Sequence, residues 1–301
     1  MFVMEGVHAC KRRPSTHGSA TRGGATSCRP HRSTTFSASP SRPRTRPDTN
    51  CCGGGARCRG STRSPPTDVV SDADRAAERI ISTAVASRRP DDAQVGEEGT
   101  ARVGRSAVTW TFDPLDGTVN YLYGRNSWCV SIAASDHAGA LVGVVYEPVH
   151  RHTTWAVRDG GAWRDGTPIA VSDVTDLGRT LVATGFSYQS ETRSRQADVL
   201  RSLLPRVRDI RRSGCAALDL CDLASGRHDA YAESPINSWD IEAAALIARE
   251  AGAVTLVDRL DDHGRSVVAA SPGVIRAFAR ALADAAPATF GYATQTEPEL
   301  P

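Results

Sequence analysis

The chain has 301 residues, with 36 Lys+Arg against 34 Asp+Glu and a formal net charge of +2. No run of about 18 apolar residues occurs, which excludes a transmembrane helix, and the start MFVMEGVHACKRRP lacks the charged-then-apolar order of a secretory signal. The near-neutral total joins two unlike parts: residues 1–66 carry 12 basic and two acidic side chains, net +10, and the remaining 235 carry 24 and 32, net −8.

Residues 1–63 are dominated by Arg, Ser, Thr, Gly and Pro without periodicity, and hold too few apolar side chains to offset the entropy of ordering them. They read as a disordered basic tail, a transit segment, or a mistranslated extension from a misplaced start or frameshift, and the last is favoured. Arginine outnumbers lysine 35 to 1, a bias that a GC-rich coding sequence would give and that says little about partners. Five of the eight cysteines lie in this stretch at spacings that fit no zinc pattern. Cys129, Cys215 and Cys221 sit among apolar residues as small hydrophobes. A reducing, cytoplasmic compartment is the expectation.

The folded body is expected over residues 64–287, with a frayed tail over 288–301. Ser71 can cap a helix in which Ala73, Ala76, Ala77, Ile80, Ile81, Ala84 and Val85 form one apolar stripe, ended by Pro90. PDDAQVGEEGT reads as a polar loop. Residues 107–112 form a short strand broken by Asp113-Pro114. Residues 129–135, 141–146 and 153–157 suggest an antiparallel meander. A strand over 180–184 and a polar helix over 192–204 follow. Thereafter come helix 214–224, strand 229–232, helix 241–251, strands 254–257 and 267–270, and helix 273–285. The fold class is mixed α/β.

The acidic residues gather at element ends: Gly96-Glu97-Glu98, Asp113-Pro-Leu-Asp116-Gly117-Thr118 and Trp239-Asp240. Carboxylates brought together repel unless a cation neutralises them, and hard oxygen ligands suit Mg²⁺. A turn at Pro114 would let Asp113 and Asp116 converge at the strand's end. Gly117-Thr118 would offer unobstructed N–H groups, an anion site if a helix starts there. Cations, carboxylates and amides together describe phosphate-ester hydrolysis. Each cluster alone reads blandly: DPLDG as a turn, Glu-Glu as a solvated loop, Asp240 as a first-turn acid. Their joint occurrence points to a site. Glu233, at the end of DAYA, can accept from two neighbouring hydroxyls, which favours a polyol. Trp239 reads as packing at a helix entry. No His falls in these segments, so His-based catalysis is not indicated.

VTWTFDPLDGTVNYLYGRNSWCVSIA and NSWDIEAAALIAREAGAVTLVD resemble the two signature segments of the inositol monophosphatase family, and SPPTDVVSDADRAAERII, VGEEGT and RRSGCAALDLCDLASGRHDAYAE agree with it. The resemblance implies a layered αβαβα sandwich of the sugar-phosphatase type, a homodimer, and Mg²⁺-dependent, lithium-sensitive hydrolysis of a small polyol phosphate. Myo-inositol 1-phosphate is the first choice; histidinol phosphate, fructose 1,6-bisphosphate and nucleotide 3′-phosphates are alternatives. It implies one Mg²⁺ on Glu97, Asp113 and the Leu115 carbonyl, a second on Asp113, Asp116 and Asp240, and a weaker third near Glu97. Glu97 and the Thr118–Asp74 pair would activate the attacking water. Phosphate would rest on the Gly117 and Thr118 amides, and substrate hydroxyls on Glu233, Asp240 and the backbone of Gly214, Cys215 and Ala216. Cys215 stands where members often carry Thr or Ser. The chain departs from the family at its start: a long first helix is replaced by the basic stretch, and a Lys-Ser loop by Arg63-Ser64-Pro65-Pro66. Loss of that helix would expose apolar surface on the body. A reading of another class, a nucleic-acid-binding or regulatory protein, would use the +10 stretch for salt-dependent affinity. Only Phe36 lies among its arginines for base stacking after Phe2, so nucleic acid is disfavoured.

Overall fold

The computed structural model describes residues 72–259 and 264–294. The expectations for the basic stretch, the Ser71 cap and the last seven residues lie outside the described residues. Helix α1 (Asp72–Arg88) lies over β3 (Thr109–Asp116), a strand of the first sheet. Eight strands form that sheet, in the order β2 (Ala101–Arg102), β1 (Ala93–Gly96), β3, β4 (Cys129–Asp136), β5 (Gly139–Glu147), β6 (His152–Val157), β7 (Ala162–Arg164), β8 (Thr167–Pro168). From β3 through β8 every neighbour is antiparallel, as the alternation of residues 129–157 suggests.

The second sheet has the order β10 (Asp209–Arg211), β9 (Leu181–Thr184), β11 (Ala230–Ile236), β13 (Arg265–Ala270), β12 (Val254–Arg259). Its first three strands are parallel, and β13 runs antiparallel to both neighbours. Helices α4 (Ala216–Ala224) and α5 (Ser238–Glu250) lie between the sheets, and α3 (Ser190–Leu203) and α6 (Ile275–Ala285) cover the far face of the second. The layers therefore run α, β, α, β, α. The central layer is the core: Ile241, Leu246, Leu220 and Leu223 are buried against Val145 and Val267. Small residues let α5 approach closely, and a Cβ at Gly143 on β5 would meet the Ala243 backbone. Among the described residues no helix is long and apolar enough to cross a membrane.

Several local expectations are corrected. PDDAQVGEEGT is not simply a loop, because Ala93–Gly96 pairs parallel with β3. It is too short and too polar to show an apolar alternation. Asp113-Pro114 does not end the strand: β3 continues to Asp116 through a bulge, with Asp113 opposite Ser131 and Asp116 opposite Cys129. Proline is tolerated at such a bulge, where a ladder bond is already lost. The α1 stripe divides: Val85 is buried with Asp74 and Glu78, whereas Ile80 is 70% exposed. The tail does not fray at once, since α7 (Pro287–Phe290) and a 3₁₀ turn to Thr294 bury Phe290 and Ala293 against the α6 side of the core.

Candidate active site

Strand ends and helix starts bring the acids together. Asp113 and Asp116 come from the bulged end of β3, Glu97 follows β1, and Asp240 sits in the first turn of α5. The bulge places two residues of one strand against one of its partner, which lets both aspartates approach one cleft. Ligand oxygens of Glu97, Asp113 and Asp240 lie within 4.8 Å of one another. Asp113 Oδ1 accepts from the Leu115 N–H at 2.8 Å. Asp240 also serves the helix, accepting from the Asn237 N–H at 3.0 Å as the acid of a capping box. Its role as a first-turn acid and its place in the cluster are therefore both present. One Asp116 oxygen accepts from the Ala217 N–H at 2.7 Å and from the Cys215 thiol at 3.1 Å.

The electrostatics follow from this crowding. Burial, then the charge of Asp240, pushes Glu97 up to about 8. Burial and the charge of Asp116 push Asp240 up to about 7. Asp116 reaches about 6, again through burial, held back by its backbone and thiol donors. Asp113 is also raised, by burial and by Glu97, Asp116 and Asp240. Four acids that resist ionising together form a hard-oxygen donor set that a divalent cation would satisfy. The residues present fit Mg²⁺.

Thr118 opens α2 (Thr118–Leu122), and its hydroxyl lies 3.3 Å from Asp74 Oδ1 and 3.1 Å from the Leu115 carbonyl. Gly117 before it has φ of 93°, and a Cβ there would press on the Ser127 carbonyl and on Cys215. Across the cleft, Glu233 accepts from the buried Tyr231 hydroxyl at 2.6 Å, and burial pushes it up to about 8. Gly185 lies so close that a Cβ would overlap the Glu233 carboxylate. Leu115, Gly214, Cys215 and Ala216 line the same cleft of about 260 Å³. A larger cavity of about 920 Å³ opens between α3 and α6; it shares Glu233 but none of the four clustered acids, all of which line the smaller cleft.

Comparison with known proteins gives the chain its family. A model of the inositol monophosphatase family matches residues 53–287. The chain belongs to that family. It is 42% identical over 247 residues to an inositol-1-monophosphatase of Mycobacterium leprae, covering 78% of this chain and 84% of the relative. It is 39% identical over 204 residues to a Nus factor SuhB of Xylella fastidiosa, covering 65% of this chain and 74% of that protein. Among solved structures, Mycobacterium tuberculosis SuhB matches with a TM-score of 0.64 and 39% identity, over 71% of this chain and 84% of that one.

Several residues that shape this cleft carry little signal in the sequence alone. Glu78 accepts from the Glu98 and Thr100 N–H groups, both at 2.8 Å, and so holds the loop of Glu97. Asn120 donates to the carbonyls of Ser127 and Ser213 at 2.6 and 2.9 Å, tying α2 to the Gly214 loop. Arg212, over the Phe186 ring, and Tyr188 line the cleft. Asn120 lies just after DPLDGT within a signature segment, its only sequence signal; Glu78 looks like an ordinary helix acid.

Proposed function

We propose that this chain, a phosphatase of the inositol monophosphatase family, hydrolyses a small polyol monophosphate with Mg²⁺, and that myo-inositol 1-phosphate is its substrate. The observation that carries the reading is the convergence of Glu97, Asp113 and Asp240 within 4.8 Å in a cleft that also holds Thr118 and Glu233. Glu97, Asp113 and the Leu115 carbonyl would hold one Mg²⁺, and Asp113, Asp116 and Asp240 a second, with a weaker third near Glu97. The ions would supply charge neutralisation on the phosphoryl oxygens and acidify the attacking water.

The protein's own groups do the rest. Asp74 accepts from Thr118, so the proton of the attacking water would pass to Glu97, or to the Thr118 hydroxyl as that hydroxyl gives its own proton to Asp74. The amides of Gly117 and Thr118 would face the phosphate at the start of α2, where first-turn N–H groups have no intrahelical partner. Glu233, fixed by Tyr231, would accept from substrate hydroxyls, joined by Asp240 and the Gly214–Ala216 backbone. The relation to a protein named a Nus factor raises a second reading, a regulatory role on the same body, and a hydrolysis-dead variant that keeps that role would separate the two. The substrate is tested by turnover on a panel of phosphomonoesters with and without Mg²⁺ and Li⁺. Hydrolysis of myo-inositol 1-phosphate should need Mg²⁺ and be inhibited by Li⁺. A kcat/KM on histidinol phosphate equal to or above that on myo-inositol 1-phosphate would overturn the substrate assignment.

A further inference from the structure

We propose that Cys129, Cys215 and Asp116 form a second cation site beneath the acidic cleft, for a thiophilic divalent ion such as Zn²⁺, whose occupancy shuts the enzyme down. Cys129 opens β4 and Cys215 stands just before α4; they are 0% and 2% exposed. Their sulfurs lie 3.5 Å apart, and Cys215 Sγ donates to Asp116 Oδ2 at 3.1 Å. Ligand atoms of all three residues fall within 4.8 Å of one another.

These spacings are close to those of a zinc site. Two sulfurs each about 2.3 Å from a tetrahedral Zn²⁺ stand roughly 3.8 Å apart, and a sulfur and a carboxylate oxygen roughly 3.5 Å apart. The two sulfurs, and Cys215 Sγ with Asp116 Oδ2, need to open by only a few tenths of an ångström, while Cys129 Sγ and the Asp116 carboxylate already lie within 4.8 Å. A disulfide would require the same sulfurs to close to about 2.05 Å, a much larger movement. The two thiol protons, one between the sulfurs and one directed at Asp116, occupy the space the ion would take. On binding, two S–H bonds break, two sulfur–metal bonds form, and two protons leave to solvent. A dication replaces two protons, so the buried site gains no net charge. Cys215 and Asp116 line the cleft while Cys129 lies behind them, so the ion would enter from the cleft side, where a water could complete its coordination. Sulfur is a poor ligand for Mg²⁺, so the two ions would sort by ligand softness. Binding stands on these three atoms alone; only the inhibition rests on the reading of Asp116 as a magnesium ligand.

Cd²⁺, titrated into the full chain without magnesium, reads the site through its thiolate-to-cadmium charge-transfer absorbance. Wild type should bind one more equivalent in this band than Cys129→Ala or Cys215→Ser, each verified as folded by circular dichroism. Cys215→Ser keeps a hydroxyl toward Asp116 at nearly the same volume. The five cysteines before residue 72 are common to all three proteins and cancel in the difference. Equal absorbance in the three would overturn the site, whether or not the chain turns over a phosphomonoester. In saturating Mg²⁺, Zn²⁺ should inhibit wild type at a concentration about tenfold or more below that for Cys129→Ala, since loss even of an outer partner costs a metal site that much. The turnover of Cys129→Ala without zinc should match wild type. Equal zinc sensitivity of the two would overturn the inhibitory role.

Discussion

The Glu78 carboxylate holds the Glu97 loop from below with two charge-assisted hydrogen bonds, and a Cβ at Gly96 would overlap it. Glu78→Gln keeps one acceptor and turns the other into a donor facing an N–H. Loss of that bond should cost about 1.5–3 kcal/mol of stability in urea unfolding. It should also weaken the magnesium dependence of turnover roughly 10–100-fold, as loss of an outer partner does at metal sites. Normal Mg²⁺ dependence in a folded Glu78→Gln protein would remove Glu78 from the site. Glu233→Gln is expected to act differently. If Glu233 meets substrate hydroxyls equally in ground and transition states, KM should rise about tenfold or more while kcat holds. A fall in kcat at unchanged KM would place Glu233 in the chemical step instead.

At the scale of elements, the two sheets are held by α5, whose small face lets the β5 backbone come close at Gly143. Gly143→Val would push a side chain into the α5 backbone, which has no flexible end to move. The expected cost is about 1–3 kcal/mol, read as a lower urea midpoint, with the affinity for Mg²⁺ unchanged. The helices and the meander over residues 129–157 were legible because their apolar periods are long enough to count. The bulge at Asp113–Asp116 was not, because Asp-Pro-x-Asp-Gly spells a turn unless the partner strand supplies pairing. β1 was hidden for the opposite reason: only the parallel neighbour β3 makes four mixed residues a strand. The site acids were legible as clusters at element ends. Asn120 and Tyr231 were not, since their parts depend on carbonyls and a carboxylate that the fold brings to them.

Across the whole molecule, the acidic cleft links stability to pH and, on the proposed reading, would link it to magnesium. Asp116, Asp240, Glu97 and Glu233 are pushed up to about 6, 7, 8 and 8, from 3.8 or 4.5. The folded chain therefore binds more protons than the unfolded chain between about pH 4 and 8, and the metal-free protein should lose stability as pH rises through that window. Asp92, Asp136, Asp165 and Asp209, held low, shift stability only toward more acidic pH. Mg²⁺ held by the folded state would compete with those protons, so its stabilisation should be larger at pH 8 than at pH 5.5. Thermal scans with and without Mg²⁺ at the two pH values check this; a metal-free Tm that rises toward pH 8 would contradict it. The near-zero net charge of the chain conceals this concentration of acid, and a single residue tests it most directly. Asp113, buried and with its carboxylate within 4.8 Å of those of Glu97 and Asp240, is the expected shared ligand of both ions. Phosphate release from myo-inositol 1-phosphate in saturating Mg²⁺ should fall by more than about 100-fold in Asp113→Asn, beyond what loss of an outer partner costs. Near-normal release by that variant would contradict the account.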